Sequence, residues 1–270
     1  MIEELAKEES IGAALHVWSE DRGWEPGSGR LAQEIALTLY LDRAELVTMM
    51  CSPEKLNHLV VGFLRSEGMI QTLDDIALMR VCDEEQVADV RLMKPREVTT
   101  SKRILTSGCG GGVTFDEGGS VAPVASDLRV SPGSVLGMMK AMLQSGGKKS
   151  ELGGMHLAAL SDGESLLVTA RDVGRHNTLD KLWGQCMFMG IPTQGKLLLA
   201  TGRISSEMIL KAAKMGVPVA ASLNSPTDRT VELARQLNVT VVGYARGGRV
   251  SVYTHPERMG LAPSSNHNHH

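Results

Sequence analysis

One cysteine of this 270-residue sequence lies in a run of glycines. Cys109 stands between Gly108 and Gly110 in residues 106–112, so neighbouring side chains do not shield its sulfur and a bulky ligand can approach the backbone. Nearby cations or helix N–H groups would increase its thiolate fraction. The pattern predicts an accessible, reactive thiol. A buried structural cysteine in a turn is the alternative.

A second group of candidates includes two histidines. His156 lies among small residues that would let it face a cavity as a proton-transfer group, and a hydrogen-bonded core histidine fits the same pattern. Asp172, Arg175 and His176 follow a predicted strand and could together bind an anion or tune a thiol. A structural ion pair between Asp172 and Arg175 is the alternative.

Arginines in two later loops indicate an anion site. Arg203 precedes Ser205 at the predicted start of a helix, where free N–H groups and the helix dipole favour phosphate. Arg246 and Arg249 frame two glycines, which would bring two planar cations and bare backbone to a phosphate or a base. A glycine turn with solvated arginines is the alternative for this segment.

The charge distribution agrees with a compact anionic ligand. Residues 1–100 carry 19 acidic against 10 basic side chains, and the rest of the chain is net basic. Nucleic acid is not expected, because the basic excess is small and only 3% of residues are aromatic. No apolar run reaches the roughly 18 residues of a membrane span, and the first residues do not form a signal peptide. We therefore expect a cytoplasmic protein whose four cysteines form no disulfide framework.

The first part of the chain predicts a small α+β domain at residues 1–98. Alternating apolar residues indicate strands, and Ser52 followed by Pro53 indicates the N-cap of a helix that ends at Gly68. The boundary is set where glycines become frequent after Thr99. The predicted strands are a hairpin at residues 35–50 and single strands at 76–82 and 87–92.

The second part, residues 99–258, predicts an α/β domain. A helix opens at Ser131-Pro132, and strands then alternate with helices. This alternation favours a largely parallel or mixed sheet with helices on both faces and ligands beyond the carboxyl ends of the strands. Residues 259–270, with their His and Asn alternation, form a tail that looks like a purification-tag remnant. The predicted strands are 166–171, 196–201, 217–222, 240–244 and 250–253, and the later helices are 178–189, 205–215 and 227–237.

Several ordered motifs resemble the formate dehydrogenase accessory sulfurtransferase family, written FdhD or NarQ. The most specific is Arg-Asp-Val-Gly-Arg-His-Asn-Thr-Leu-Asp-Lys at residues 171–181. The resemblance covers most of the chain, and the fold it implies is cytidine-deaminase-like. The other motifs are residues 52–70, 106–110, 154–160, 202–208 and 243–246.

The resemblance implies a cytoplasmic, homodimeric sulfurtransferase. Its sulfurtransferase and cofactor-binding domain is residues 99–258. Such a carrier accepts sulfur from a cysteine desulfurase as a cysteine persulfide and passes it to molybdenum cofactor for formate dehydrogenase. The cofactor is the bis(molybdopterin guanine dinucleotide) form, bound as a substrate, and no tightly bound metal of the protein's own is implied. Cys109 matches the persulfide cysteine, and the cofactor-binding segment falls on Tyr244, Ala245, Arg246, Gly247, Gly248 and Arg249.

One departure from the family pattern limits the chemistry. Relatives usually carry Cys-x-x-Cys where this chain has Cys109 and Gly112, so a resolving thiol is missing from the loop. A chaperone that delivers the cofactor without transferring sulfur is therefore the alternative function. Zinc deaminase chemistry is not expected, because Ala158 stands where a His-x-Glu motif needs glutamate. A nucleotide hydrolase ranks last, because no Walker loop is present.

Overall fold

The computed structural model describes residues 10–95, 104–105, 121–146 and 153–261. Within these residues the strands form three separate sheets. The strands are β1 (Ser10–Ser19), β2 (Gly23–Ala32), β3 (Ile35–Leu41), β4 (Ala44–Cys51), β5 (Ile76–Cys82), β6 (Val87–Leu92), β7 (Ile104–Leu105), β8 (His156–Ser161), β9 (Leu166–Asp172), β10 (Leu197–Ala200), β11 (Val219–Ser222), β12 (Thr240–Arg246) and β13 (Arg249–Val252). The helices are α1 (Leu56–Ser66), α2 (Pro132–Ser145), α3 (Arg175–Met189), α4 (Ser206–Lys214) and α5 (Asp228–Gln236), with short 3-10 turns at Leu73–Asp75 and Pro256–Met259.

A five-stranded sheet with the order β5-β6-β3-β4-β7 forms the first core. In β3, Leu37, Leu39 and Leu41 are buried and alternate with half-buried residues, which is the period-two pattern of a strand with one covered face. The predicted hairpin and both predicted single strands are confirmed. The predicted domain boundary at residue 98 stays a prediction, and β7, beyond it, pairs with β4.

The second core surrounds a six-stranded sheet with the order β13-β12-β11-β10-β8-β9. β10, β11 and β12 are parallel, and β9 has the same direction because β8 pairs antiparallel with both β9 and β10. Alternate strand residues face opposite helix layers: α2 covers one face, and α3, α4 and α5 cover the other. The predicted α/β class with a mixed sheet and helices on both faces is confirmed. The cytidine-deaminase likeness stays a prediction.

The predicted start of the first helix is wrong by several residues. The helix begins at Leu56 after Lys55, which is in the left-handed conformation with φ 50°. Ser52 does not cap it, because the amide and the hydroxyl of Ser52 both donate to the distant carboxylate of Asp172. By contrast, the predicted cap of α2 is confirmed: Ser131 accepts from the amide of Ser134 at 3.0 Å.

Helices α1 and α3 cross with their backbones in contact. A Cβ added at Gly62 would clash with the carbonyl of Asp180, and one added at Gly184 would clash with the carbonyl of His58. Only glycine allows this approach. α1 covers the five-stranded sheet and α3 covers the six-stranded sheet, so this crossing joins the two cores. No helix in the described part of the chain is long and apolar enough to cross a membrane.

Gly62→Ala is expected to lower the free energy of unfolding by about 3 kcal/mol, because the two helix backbones must move apart to admit the methyl group. Urea unfolding followed by circular dichroism measures this loss. Gly137→Ala in α2 is the matched control: a Cβ there meets nothing within 4 Å, so the variant should gain about 0.5–1 kcal/mol from helix propensity. Equal effects of the two substitutions would contradict the assignment.

Candidate functional site

One edge of the six-stranded sheet collects the loops that carry most of the candidate residues. β9, β10, β11 and β12 point the same way, so their carboxyl ends lie along this edge. β8 runs in the opposite direction, so its first residue, His156, lies there too, opposite Asp172. We call this the carboxyl edge. Its position agrees with the rule that ligands of such sheets bind beyond the strand ends.

Asp172, the last residue of β9, is fully buried and forms an ion pair with Lys181 of α3. The Oδ2 atom lies 2.6 Å from Lys181 Nζ, and both side chains are 0% exposed. The same oxygen accepts from the amide and the hydroxyl of Ser52 at 3.1 and 3.0 Å. The Oδ1 atom accepts from the amide of Gly174 and from Asn177 Nδ2, each at 2.8 Å. These bonds satisfy the carboxylate on both oxygens, as a buried charge requires.

This geometry corrects the ion pair considered above, because the partner of Asp172 is Lys181 and not Arg175. The sequence contains a signal for it: Asn177 and Lys181 are four residues apart, so both lie on one face of α3 and both reach Asp172. Because its oxygens are already occupied, Asp172 has a structural role and does not bind an anion.

The network also ties the two sheets together. Lys181 donates to the carbonyl of Ser52 at 3.1 Å, directly after β4. Arg171 Nε pairs with Glu54 Oε1 at 3.2 Å, which adds a second bridge between the same segments. Cys51 is buried beside this network, and burial, followed by the charge of Asp172, raises its pKa to about 12. Its thiol therefore stays protonated at neutral pH.

His176 at the start of α3 is a neutral imidazole. Its Nε2 lies 3.1 Å from Ser205 Oγ and 3.2 Å from Glu207 Oε2. Burial, together with the cations of Lys211 and Arg175, lowers its pKa to about 3. The Glu207 carboxylate acts in the opposite direction, but its side chain is 32% exposed and is screened by solvent, so burial dominates.

His156 lies close to the same group. Burial, and then the charge of Arg175, lowers its pKa. A Cβ added at Gly202 would lie 3.0 Å from Arg175 Cβ and 3.2 Å from His156 Nδ1. The loop after β10 therefore packs directly against both residues. The carboxyl edge therefore brings together His156, Arg175 and His176, as the sequence analysis anticipated for the last two.

The N-terminus of α4 already contains acceptors of its own. Ser205 Oγ accepts from the amide of Met208 at 3.4 Å, and Glu207 lies in the first helical turn. Arg203 is exposed beside this end. The positive N-terminal end of α4 favours an anion, and the Glu207 carboxylate already supplies one there. This terminus is therefore a less suitable phosphate site than the sequence suggested.

The turn between β12 and β13 exposes two guanidinium groups. Arg246 and Arg249 are paired in register and both are exposed, with Gly247 and Gly248 between them at φ 61° and 75°. Such a turn requires positive φ at both central positions. The arginines and the bare turn thus extend beyond the carboxyl edge.

The residues before this turn are bent by a bulge. Tyr244 adopts φ 52° at a shift of the β12–β13 register, and this residue is 41% exposed, whereas Ala245 is buried. A positive φ is uncommon for an aromatic residue, and here it coincides with the bulge. The bulge turns the aromatic ring outward beside the arginines.

Cys109 lies outside the described residues. The sequence places Cys51, Cys82 and Cys186 within apolar patterns, which predicts that they are buried structural cysteines. Cys51 and Cys186 are indeed buried, and burial raises the pKa of Cys186 to about 12. The expectation that Cys82 is buried is wrong: it is exposed at the end of β5, because the outer face of that strand is not covered. Among the described residues no group of His, Cys, Asp and Glu side chains is arranged to hold a metal ion.

The fold and this edge define an α/β protein that exposes arginines and buries neutral histidines beside the strand ends. The model of the FdhD/NarQ family matches residues 32–260, and the chain belongs to that family.

Its relatives include proteins named sulfur carrier protein FdhD. The one from Bacillus subtilis (strain 168) is 39% identical over 258 residues, which are 93% of this chain and 98% of that protein. The one from Staphylococcus haemolyticus (strain JCSC1435) is 39% identical over 232 residues, covering 84% and 88%. A crystal structure described as a proposed formate dehydrogenase accessory protein from Desulfotalea psychrophila has a TM-score of 0.76 at 26% identity, covering 93% of this chain and 99% of that one.

Lys181→Met is expected to lower the free energy of unfolding by about 3–5 kcal/mol, because it leaves the buried Asp172 carboxylate without a counter-charge. Urea unfolding measures the loss. Adding Asp172→Asn to this variant should restore part of it, since the uncompensated charge is removed. Arg22→Met is the surface control, because Arg22 and Glu25 are 67% and 45% exposed and such a pair contributes less than about 1 kcal/mol.

The neutral His176 predicts a loss of stability in acid. Its folded pKa of about 3 is below the unfolded value of about 6.5, so the unfolded chain binds the proton more tightly. The contribution of the neutral His176 side chain to the free energy of unfolding is complete above the unfolded pKa. It is lost as the pH falls from about 6.5 towards 3. Urea unfolding at a series of pH values should show a shallower decline for His176→Gln than for the parent protein. Identical slopes would argue against a neutral buried imidazole.

Proposed function

We propose that this protein accepts persulfide sulfur from a cysteine desulfurase on Cys109 and transfers it to molybdenum bis(molybdopterin guanine dinucleotide), as formate dehydrogenase requires. Its relatives are named sulfur carrier proteins, which supports sulfur transfer as the reaction class. The observation that carries the rest of the proposal is the direction of β4 and β7 relative to the carboxyl edge.

β7 is the last described element before the cysteine loop. It pairs parallel with β4, with Leu105 beside Met49, so both strands run the same way. β4 continues into Ser52, which bonds Asp172 at the carboxyl end of β9. Leu105 is four residues before Cys109, and four extended residues span at most roughly 14 Å. This connection supports a thiol that works at the carboxyl edge.

The first transfer is balanced without an oxidant or a reductant. The Cys109 thiolate attacks the outer sulfur of the donor's persulfide and forms a new S–S bond. The donor's own S–S bond breaks and its cysteine leaves as a thiolate. The glycines around Cys109 allow the donor's active-site segment to approach closely.

The guanine dinucleotide end of the acceptor would bind at the β12–β13 turn. Arg246 and Arg249 supply planar cations suited to pyrophosphate oxygens, and the N–H groups of Gly247 and Gly248 are not shielded by side chains. The outward ring of Tyr244 offers a surface on which guanine would stack. In this proposal the turn holds the cofactor, and the thiol brings the sulfur.

Release of the outer sulfur as sulfide consumes two electrons. A second thiol that forms a disulfide with Cys109 is one source of them, but Gly112 removes it from the loop. Burial holds Cys51 and Cys186 in the protonated form, so neither is suited to attack. We therefore propose that the electrons come from a thiol outside this loop, either the exposed Cys82 or an external thiol, which forms a disulfide with Cys109 as sulfide leaves.

Incubation with a cysteine desulfurase and cysteine should add one sulfur atom to the protein, detected by intact-protein mass spectrometry and removed by dithiothreitol. Cys109→Ala should show no addition, whereas Cys82→Ala, which removes the exposed cysteine, should be modified like the parent protein. An unmodified parent, or equal modification of Cys109→Ala, would sink the proposal.

The second candidate is a cofactor chaperone that does not transfer sulfur, and the glycine at position 112 favours it. The two functions differ in one variant. A sulfur carrier with Cys109→Ala fails to restore formate dehydrogenase activity in cells that lack the protein, although it still binds guanosine diphosphate. A chaperone with Cys109→Ala restores that activity fully.

A further inference from the structure

A cavity of about 390 Å³ lies between the ends of α1, α3 and α4. The segments that lead into β10 and β11 also line it, so it lies at the amino ends of these strands, opposite the carboxyl edge. Its volume is within the range of small-molecule sites, about 300–1,000 Å³. α3 connects the two places, and its 15 residues span roughly 22 Å. The cavity is therefore separate from the proposed cofactor site.

Much of the cavity wall is apolar. Trp183 of α3 is only 4% exposed, and its ring is part of a wall that suits an aromatic or aliphatic body leaving water. The opening is polar, because the exposed side chains of Gln71 and Gln194 lie there. The apolar wall consists of Trp183, Cys186, Met187, Ile191 and Met215.

Arg65, in the last turn of α1, supplies a half-buried cation to this wall. Its Cζ atom lies 4.9 Å from the centroid of the Trp183 ring, a cation–π contact that holds the guanidinium over the indole. Its side chain donates no hydrogen bond to the described residues. The acid whose charge acts on it is Asp75, which already accepts from the amides of Gln71 and Thr72. The guanidinium thus keeps N–H donors for a ligand.

The indole N–H of Trp183 is a second donor at the same wall. It makes no hydrogen bond with the described residues, and its nitrogen is not sealed from solvent, although a buried tryptophan N–H usually has a partner. Lys214 adds a cation that is held in place by the carbonyl of Ser66 at 2.8 Å. No aspartate or glutamate is among the described lining residues. The cavity therefore combines donors and positive charge with an apolar wall.

We propose that this cavity binds a small carboxylate with an apolar body, such as an arylacetate. The planar carboxylate matches the fork of the Arg65 guanidinium, and the Trp183 N–H donates to the same group. The apolar body packs on the remaining wall. A pyrophosphate is less suited, because it would bring several negative charges against apolar side chains. The proposal does not depend on the proposed function.

Isothermal titration calorimetry of the purified full-length protein with phenylacetate should show saturable binding with a Kd below about 1 mM. Phenylacetamide is a neutral analogue of the same shape, and acetate has the charge without the ring. Each should bind at least about tenfold more weakly than phenylacetate. An absence of saturable binding, or equal binding of phenylacetate and phenylacetamide, would overturn the proposal.

Arg65→Met should weaken phenylacetate binding at least about tenfold, because it removes charge-assisted hydrogen bonds. Arg80→Met is the matched control: it removes an exposed arginine of β5 that does not line the cavity, and it should leave the affinity unchanged. Gln194→Glu adds a carboxylate at the exposed opening with almost no change in shape, so it should weaken binding without disturbing the Arg65–Trp183 contact. An unchanged affinity in Arg65→Met or in Gln194→Glu would contradict the assignment.

The three tryptophans of the chain report where the ligand binds. In nuclear magnetic resonance spectra of isotope-labelled protein, phenylacetate should shift the indole N–H signal of Trp183. The signals of Trp18 and Trp24, which are exposed on β1 and β2, should stay in place. Trp18→Phe and Trp24→Phe assign the three signals by elimination. A Trp183 signal that does not move at saturating phenylacetate would overturn the proposal.

Discussion

The buried pair between Asp172 and Lys181 is the interaction on which the arrangement of this protein depends. Both charges are removed completely from water, which costs several kcal/mol for each ion unless close partners replace the solvent. Ser52 supplies two of the replacement bonds and accepts a third from Lys181. The cost is thus offset only when the end of β4, the end of β9 and α3 meet at one point. The pair therefore specifies the position of one sheet relative to the other.

The glycine crossing of α1 and α3 acts together with this pair. Gly62 and Gly184 let the helices touch along their backbones, so α1, which covers the first core, and α3, which covers the second, pack directly against each other. Lys181 lies on α3 between these contacts. The packing of α1 on α3 excludes water from its ammonium group and holds that group against Asp172. A change that separates the helices would also expose the ion pair, so the two features are expected to fail together. This coupling keeps β4 and β7 directed at the carboxyl edge.

The fold could be predicted from the sequence where local patterns decide structure. Alternation of Leu37 and Leu39 with Thr38 and Tyr40 identified β3, and the Ser131 cap identified α2. Prediction failed where distant contacts decide. Ser52 has the local chemistry of a helix cap, but its hydroxyl bonds a carboxylate 120 positions away. β8 was not predicted because Leu157–Ser161 are all buried, so no alternation is visible. The edge loops were predicted because parallel strands end together. The four-residue spacing of Asn177 and Lys181 indicates that they share a helix face, but not that this face meets a buried carboxylate.

The arrangement of charges at the carboxyl edge follows from the same requirement that buried ionisable groups be paired or uncharged. Asp172 and Asp180 are neutralised inside the protein by Lys181 and Lys211, and burial keeps His176 uncharged. The exposed arginines of the β12–β13 turn therefore present positive charge to solvent. The two buried lysines, by contrast, are each paired with an aspartate. In the proposed function, the phosphates of the guanine dinucleotide would meet an attractive field at this turn, away from the buried pairs that hold the sheets together. In that proposal, binding and release of the cofactor would require no change in these buried pairs.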